Sequence, residues 1–453
     1  MKSINPATDE TIKEYEIMDD DTIDKIIRNA AEAQEKWRKK TFDERAELLR
    51  NVANDLKVNK KEYAELMARE MGKPLPQGES ESEKCAWVCN YYADNAEGFL
   101  SDQTIESDAD LSYVTFNPLG TVLAIMPWNF PFWQLYRFGA PALMAGNAVI
   151  LKHAPNVTGC ALAIEKIMHD AGIPEDLFRT VIADVDQTQE MITHDGIQAV
   201  TLTGSTRAGR AVASKAGSVL KKTVLELGGS DPYVVLADAD LEKTAETCVT
   251  SRLVNSGQSC IAAKRYIVVE DLYDDFVELV KEKMKSKRVG DPFDSETDIG
   301  PMAREDLRDK LHDQVQGSIE KGAKCIIGGE IPDSDGAFYP PTILTNISED
   351  MPAYKEELFG PVATVIKVKD EKEAIEVAND TSFGLGAAVF SGDVDHAEKI
   401  AANELEAGCC FVNEFVKSDP RLPFGGIKNS GYGRELSHFG IKEFVNIKTV
   451  YRA

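Results

Sequence analysis

Cys260 is the residue most suited to nucleophilic chemistry, and it lies in the stretch NSGQSCIAAKR, residues 255–265. A cysteine thiolate attacks an electrophile when its surroundings lower its pKa and leave the sulfur accessible. The small and polar residues on both sides of Cys260 predict a loop that enters a helix. The other cysteines lie in helical or strand patterns that favour burial: Cys85, Cys89, Cys160, Cys248, Cys325, Cys409 and Cys410.

Glu226 is the candidate general base. It follows the apolar run TVL and precedes two glycines in KKTVLELGG, so the backbone around it is tight. Partial removal from water would raise the pKa of this carboxyl into the range useful for a base. An ordinary solvated glutamate is the alternative. The sequence contains no G-x-S-x-G motif, so a serine nucleophile of that kind has no comparable support.

Two segments are typical of nucleotide binding. In IQAVTLTGSTRAGR an apolar strand passes through Gly204 and Ser205 into a helix from about Arg207, and a helix N-terminus suits a phosphate. The spacing differs from the G-x-G-x-x-G fingerprint, so this signal alone is weak. Lys152 follows the apolar run AVIL at the carboxyl end of a predicted strand, where α/β sheets bind ligands. A surface lysine is the alternative there.

The elements around these residues predict an α/β protein of two or three domains. A chain of 453 residues exceeds one ordinary core. The first hundred residues show helical spacing, with a helix that ends around Gly72. After Leu100, strands and helices alternate in two series, which is typical of parallel sheets. The boundary between the series is expected near Leu227–Gly229, and a strand-like tail needs a sheet to join.

Composition narrows the partners. A formal net charge of −25 argues against nucleic acid and anionic membrane, since both require clustered Lys and Arg. No apolar run approaches the roughly 18 residues of a membrane span, and no secretory signal is visible at Met1–Glu10. Eight cysteines without a disulfide framework indicate a reducing cytoplasm. No histidine or cysteine spacing predicts a metal site.

Seven segments together resemble the aldehyde dehydrogenase superfamily across essentially the whole chain. In order, they are MPWNFPFW, GNAVILKHAPN, TLTGSTRAGR, LELGGSDPYVV, NSGQSCIAAKR, EELFGPV and LPFGGIKNSGYGRE. Details such as LKHAPN look nearest to bacterial NAD(P)-dependent succinate-semialdehyde dehydrogenases. The resemblance implies that Cys260 attacks an aldehyde to give a thiohemiacetal. It also implies that Asn129 and the Cys260 backbone N–H stabilise the oxyanion, and that Glu226 activates water.

The resemblance also implies a nicotinamide cofactor, NADP or NAD. The residues that match cofactor contacts are Trp128, Lys152, Pro155, Gly204, Ser205, Leu227, Glu357 and Phe359. Relatives that prefer NAD often carry a glutamate three residues after the lysine, and this chain has Pro155 there. Since no carboxylate repels a 2′-phosphate, we expect NADP to be accepted, with a slight preference over NAD.

The substrate implied by the resemblance is an aldehyde with a distant carboxylate. Arg137 follows Asn129 by eight residues, about two helical turns, and can line the same tunnel. A surface or salt-bridged arginine is the alternative. Trp133 is expected to form an apolar wall and Ser418 to add a hydroxyl contact. Rival functions are oxidation of another short aliphatic or hydroxy-aldehyde, a cysteine-dependent esterase or acyl transferase, and a non-catalytic protein.

The implied fold is a Rossmann-like cofactor domain, an α/β catalytic domain and a small β oligomerisation element. We expect the cofactor domain at residues 1–100 and 118–227 and the catalytic domain at 228–419. The oligomerisation element is expected at 101–117 and 420–453, in a homodimer or homotetramer.

Overall fold

The computed structural model describes all of residues 1–453, with eighteen strands in four sheets. The strands are β1 (Lys2–Ile4), β2 (Thr11–Glu14), β3 (Gln103–Thr104), β4 (Leu111–Pro118), β5 (Thr121–Met126), β6 (Ala148–His153), β7 (Phe178–Thr180), β8 (Ala199–Thr203), β9 (Lys222–Glu226), β10 (Asp231–Val235), β11 (Ala263–Val269), β12 (Lys324–Ile327), β13 (Thr342–Thr345), β14 (Val362–Val368), β15 (Gly386–Phe390), β16 (Cys409–Val412), β17 (Gly431–Tyr432) and β18 (Val445–Arg452).

Fifteen α-helices connect and cover the strands. They are α1 (Asp20–Trp37), α2 (Phe42–Val58), α3 (Lys60–Met71), α4 (Leu75–Phe99), α5 (Trp133–Met144), α6 (Thr158–Asp170), α7 (Val185–Thr193), α8 (Thr206–Ser218), α9 (Leu241–Leu253), α10 (Glu270–Lys285), α11 (Glu305–Glu320), α12 (Pro352–Lys355), α13 (Glu371–Asn379), α14 (Val394–Asn403) and α15 (Ser437–Gly440). None of them is both long and apolar enough to span a membrane.

The first sheet has six strands in the order β17-β9-β8-β5-β6-β7. All are parallel except β17, which runs antiparallel to β9. Strands β5 and β6 are buried along almost their whole length, as expected for a parallel sheet covered on both faces. Helices α1 to α4 share the buried apolar core of this sheet.

The second sheet has seven strands in the order β12-β13-β14-β11-β10-β15-β16, and only β12 is antiparallel to its neighbour. Its strands span residues 231–412, and the chain crosses from the first sheet to the second between Glu226 and Asp231. The segment with Cys260 connects α9 to β11. The expected helix after Cys260 is therefore wrong. The run AKRYIVV is rich in β-branched residues and forms a fully buried central strand instead.

The third sheet joins β18, β4 and β3. Strand β18 pairs antiparallel with β4 from Val445–Pro118 to Arg452–Leu111, so the tail finds a partner sheet in its own chain. The short strand β17 lies outside this unit because it pairs with β9 of the six-stranded sheet. Residues 420–453 therefore contribute to two sheets.

The N-terminal segment was predicted as helices alone, but it begins with the antiparallel pair β1 and β2. Those strands are too short and too exposed to show a period in the sequence. The predicted helix end at Gly72 is confirmed, since this glycine closes α3 with a φ of +77°. Cys85 and Cys89 are both buried on α4, as expected for packing residues.

Candidate active site

Four neighbouring parallel strands end at the same edge of the six-stranded sheet. Register pairs Met126 of β5 with His153 of β6, and Thr203 of β8 with Glu226 of β9. The residues just beyond those ends include Trp128, Asn129, Gly204 and Ser205, while Lys152 lies one residue before the end of β6. Ligands of open α/β sheets bind outside the carboxyl ends of the strands. The fold thus brings the predicted cofactor residues of these strands to one edge.

The backbone before Cys260 has an unusual conformation. Asn255, Ser256 and Gly257 all have positive φ, at 54°, 55° and 75°. A Cβ on Gly257 would stand 2.2 Å from the carbonyl oxygen of Gly360, which no side chain allows. This close approach packs the loop against residues 356–361, the segment that precedes β14. The packing fixes the position of Cys260 at the end of the loop.

Two buried cations hold the loop in this conformation. Arg252 donates from one nitrogen to the carbonyls of Gly257 and Gly360. Lys264 donates to the carbonyl of Ser259 at 2.9 Å and to that of Cys260 at 2.7 Å. The sequence interpretation assigned these cations no role. Their signal is weak but physical, because a lysine inside a fully buried strand needs partners for its ammonium.

The surroundings of Cys260 do not lower the pKa of its thiol. Burial raises the pKa of Cys260 to about 12, and the nearby charges of Arg137 and Lys264 only partly offset this. The residue is nonetheless partly exposed, as are Cys325, Cys409 and Cys410 among the cysteines expected to be buried. Accessibility alone therefore does not single out Cys260; its position on a cavity does, as described below.

Asn129 lies against the Cys260 loop, as the oxyanion interpretation requires. Its Nδ2 donates to the carbonyl of Gln258 at 3.0 Å, while Asn255 donates to the Asn129 carbonyl at 2.7 Å. An amide nitrogen carries two N–H groups, so one remains for a further acceptor. The arrangement holds a side-chain donor within two residues of the sulfur along the loop.

Glu226 is buried, and neither of its carboxylate oxygens has a hydrogen-bond partner within the protein. Burial raises the pKa of the Glu226 carboxyl well above its usual range, and the neighbouring carboxylate of Glu435 raises it further. Burial lowers the pKa of Arg137, but Glu435, then Glu226 and Cys260, more than offset that effect and leave its pKa raised. The Arg137 guanidinium is thus within electrostatic reach of both predicted catalytic side chains.

Glu357 and Phe359 precede β14 of the seven-stranded sheet, and Trp128 follows β5 of the six-stranded sheet. Glu357 accepts from the backbone N–H of Gly229 at 3.0 Å, and its Oε1 lies 3.5 Å from the ammonium of Lys264. The rings of Trp128 and Phe359 meet edge to face with centroids 5.7 Å apart. A carboxylate and an aromatic edge beside the Cys260 loop fit the ribose and the ring of a nicotinamide.

The rest of the strand edge fits the phosphates and adenosine of the same cofactor. The Ser205 hydroxyl caps α8 by accepting from the N–H of Ala208 at 3.2 Å, so its own proton stays free to donate. Ser205 and Pro155 are exposed, whereas Lys152 is partly buried, and burial lowers its pKa. Leu227 packs on Gly209 of α8, where a Cβ would stand 2.6 Å from its methyl carbons.

A cavity of about 350 Å³ opens at Cys260 on the side of α4 and α5. Its lining includes all three predicted substrate residues, Trp133, Arg137 and Ser418. Arg137 forms a buried ion pair with Glu435 and stacks over Phe424 at 4.6 Å. The salt-bridged alternative therefore describes Arg137, which still contributes to the cavity wall.

The cavity wall also includes Lys84, which the sequence interpretation did not consider. Gln77, Ser80, Glu81 and Lys84 follow one another at helical spacing along one face of α4 and all line the cavity. Lys84 donates to the Ser418 hydroxyl at 2.8 Å and lies over the Trp133 ring at 4.3 Å. Polar residues on a helix face usually indicate solvent, so no pattern in the sequence predicts a cavity there.

The sequence profile of the Aldehyde dehydrogenase family matches residues 1–450, and the chain belongs to this family. It is 47% identical over 451 residues to a probable succinate-semialdehyde dehydrogenase [NADP(+)] of Synechocystis, covering 100% of this chain and 99% of that protein. It is 46% identical to the succinate semialdehyde dehydrogenase [NAD(P)+] of Escherichia coli, covering 99% and 97%.

Solved structures agree with the fold. The succinic semialdehyde dehydrogenase of Streptococcus pyogenes, solved in complex with NADP+, superposes with a TM-score of 0.97 at 39% identity. The match covers 99% of each chain. The predicted α/β fold class and the predicted family are both confirmed.

Proposed function

We propose that this protein oxidises succinate semialdehyde to succinate with NADP or NAD. The observation that carries the proposal is the cavity that joins the sulfur of Cys260 to a wall bearing Lys84 and Arg137. An acidic substrate needs local cations inside a protein whose net charge is −25. Two relatives that share 46–47% identity over nearly the full chain carry succinate-semialdehyde dehydrogenase names, which supports the same substrate here.

The first half of the reaction builds a covalent intermediate on Cys260. The Cys260 thiol gives its proton to water, the sulfur attacks the aldehyde carbon, and the carbonyl oxygen becomes an oxyanion. The free N–H of Asn129 and the backbone N–H of Cys260 receive this charge, and the held loop keeps both donors in place before the attack. Bound NADP or NAD supplies the acceptor for the hydride that leaves the thiohemiacetal carbon.

The second half releases the product from the thioester that remains on Cys260. Glu226 takes a proton from water, the resulting hydroxide adds to the thioester carbon, and the C–S bond breaks. The raised pKa of Glu226 suits this role, because a stronger base holds the proton more readily. The succinate carboxylate then leaves, and the Cys260 thiol is restored.

We propose that the cofactor lies along the carboxyl edge of the six-stranded sheet. Lys152 and Ser205 would hold the ribose and phosphates, with Gly204 and Leu227 beside them. Glu357, Phe359 and Trp128 would hold the nicotinamide end: these three lie beside the Cys260 loop. Pro155 leaves room for a 2′-phosphate, and we infer a slight preference for NADP.

We further propose the division into a cofactor domain (1–100, 118–227), a catalytic domain (228–419) and an oligomerisation element (101–117, 420–453). The sheet of β3, β4 and β18 exposes Ile105, Ile447 and Tyr451, which supports its use as a subunit contact. We infer a homodimer or homotetramer, which sedimentation would distinguish. Eight free thiols support a cytoplasmic location.

A panel of aldehydes assayed separately with NAD and NADP tests the proposed function. Succinate semialdehyde is expected to give the highest kcat/KM, with butanal, of the same carbon count but no carboxylate, at least about tenfold lower. Reduced nicotinamide is followed by its absorbance. Equal kcat/KM for the two aldehydes would show that the enzyme acts on short aldehydes generally. Absence of any reduced nicotinamide would favour a cysteine-dependent acyl transfer without redox chemistry.

A further inference from the structure

The cavity beside Cys260 has three cationic side chains on its wall, and their partners differ. Arg137 is paired with Glu435, and Lys417 is paired with Glu414 at 2.9 Å. Lys84 forms no ion pair with any carboxylate of the chain. One positive charge on the wall is therefore left without a partner.

The only carboxylate on the wall is Glu81, and the protein already uses it fully. Its Oε1 accepts from the backbone N–H groups of Phe132 and Trp133, both at 2.9 Å, and its Oε2 pairs with the buried Lys73. Glu81 is thus held by the N-terminus of α5 and by Lys73, which lies between α3 and α4, and it does not serve Lys84 as a partner. An anion entering the cavity meets Lys84 as the available cation.

We propose that Lys84, together with the hydroxyl of Ser418, binds the distal carboxylate of the substrate. This inference rests on the proposed function and names the residue that confers its specificity. Lys84 and Ser418 are already joined at 2.8 Å, so one carboxylate can accept from the ammonium and from the hydroxyl at once. The Lys84 ammonium also makes a cation–π contact with the Trp133 ring, which helps to fix its position.

Arg137 has a different role in this arrangement. Its Nε pairs with Glu435, its Nη2 donates to the Thr203 hydroxyl at 3.4 Å, and its guanidinium stacks over Phe424, so a carboxylate of the protein already balances its charge. No carboxylate of the chain balances the charge of Lys84 in this way. Arg137 therefore holds Glu435 and lines the cavity wall, while Lys84 supplies the unbalanced positive charge.

The charges that face Lys84 come from three elements. Burial lowers the pKa of Lys84 to about 8, and Arg137 of α5 adds to this. Cys85 and Glu81 of α4 and Asp419 of the loop after Ser418 act in the opposite direction. Asp419 is itself held by Arg421 through both oxygens. Lys84 is charged below about pH 8 and loses its proton above it, so carboxylate binding is present at neutral pH and lost in alkali.

Substitution of Lys84 tests the inference with paired substrates. Lys84→Met keeps the length of the side chain but removes the charge. We expect kcat/KM for succinate semialdehyde to fall about 10- to 100-fold, mostly through KM, with kcat/KM for butanal unchanged. Lys84→Arg is expected to restore most of the loss. Lys61→Met, on an exposed site of α3, is the matched control and leaves both substrates unaffected.

The pH dependence of the unmodified enzyme provides a second measurement that needs no variant. The ratio of kcat/KM for succinate semialdehyde to that for butanal cancels the ionisation of Cys260 and Glu226. We expect this ratio to fall about tenfold per pH unit above about pH 8 and to stay level in Lys84→Arg, whose guanidinium remains charged.

The outcomes separate the inference from the proposed function. If the enzyme oxidises succinate semialdehyde but Lys84→Met leaves its KM unchanged, the function stands and the role of Lys84 is overturned. If Lys84→Met does not fold, Ser418→Ala takes its place, and an unchanged KM for succinate semialdehyde in that variant overturns the inference. If succinate semialdehyde is not oxidised at all, the proposed function and this inference both fail.

Discussion

The two halves of the candidate active site differ in how their parts are held. In the half that carries Cys260, buried cations occupy three backbone carbonyls of the loop, those of Gly257, Ser259 and Cys260. In the nucleotide half, Ser205 and Pro155 are exposed at the ends of their strands and make only local contacts. The first half is also held by contacts between residues distant in sequence, since Arg252 donates to the carbonyl of Gly360 and Asn129 to that of Gln258. The second half is a surface on the edge of a sheet.

Because the two halves are held differently, substitutions in them should have different effects on activity. Chemistry at a tetrahedral centre needs donors fixed to within a fraction of an ångström, and that precision comes from the same contacts that stabilise the fold. Nucleotide binding requires less precise positioning, because the binding free energy is distributed over many weak contacts. Substitutions in the Cys260 half should therefore change kcat, often with stability, while those in the nucleotide half should change cofactor preference alone.

The largest effect is expected from Cys260→Ala. Loss of the nucleophile should reduce kcat by at least about 10³-fold, because no other cysteine lines the cavity. Thermal stability should change little, since the side chain is small. Cys325→Ala, a partly exposed cysteine on β12, is the matched control and should keep full activity. Turnover of Cys260→Ala within tenfold of the unmodified enzyme would remove this residue from the mechanism.

Glu226→Gln is expected to slow release of the acyl group by about 100-fold or more. Rapid mixing should then show a burst of reduced cofactor followed by a slow steady rate. The pKa of Glu226 is raised, so its base form appears only above the usual carboxyl range. The unmodified enzyme should accordingly gain activity as pH rises through that raised pKa, and Glu226→Gln should lack this limb. If Glu226→Gln keeps the rise of activity with pH, the ionisation responsible belongs to another group.

Lys264→Met removes the ammonium that donates to the carbonyls of Ser259 and Cys260, and it leaves Glu357 without its ion-pair partner. We expect a loss of about 2 to 4 kcal/mol in the free energy of unfolding and about a tenfold fall in kcat. Denaturant titration measures the free energy of unfolding, and steady-state kinetics measure kcat. Lys283→Met, which removes the two surface ion pairs of Lys283 with Glu242 and Glu246 of α9, should cost less than about 1 kcal/mol. Equal losses in both variants would mean that the loop is held by packing alone.

The sequence allowed the strand-edge half of the site to be predicted, and the reason is topological. Parallel strands end at a common edge, so Lys152, Ser205 and Glu226 could be placed together without knowing any contact. The Cys260 half could be recognised as a motif, but its support could not be predicted. Arg137 and Glu435 lie almost 300 residues apart, and no local pattern indicates their ion pair.

The errors have related causes. The helix expected after Cys260 is a strand, because a short apolar run shows no decisive period. Burial raises the pKa of the Cys260 thiol, which no local pattern indicates because depth of burial is a tertiary property. Lys84 was missed because a lysine on a mostly polar helix normally faces water. Only the packing of α4 against α5 turns that face toward a cavity.

The smallest effect is expected in the nucleotide half, from Pro155→Glu. The side chain is exposed three residues beyond Lys152, so with the cofactor bound as proposed a carboxylate there would face its ribose and repel a 2′-phosphate. We expect the ratio of kcat/KM for NADP to that for NAD to fall about tenfold, with the free energy of unfolding changed by less than about 1 kcal/mol.

The matched variant Pro155→Gln separates charge from loss of the proline ring. It has the shape of glutamate without the charge, so it should leave the cofactor ratio close to that of the unmodified enzyme. Added salt should shrink the effect of Pro155→Glu, since an exposed charge is screened over about 8 Å at physiological ionic strength. If both variants shift the ratio equally, backbone rigidity rather than repulsion sets the preference. The nucleotide half would then be preorganised much like the Cys260 half.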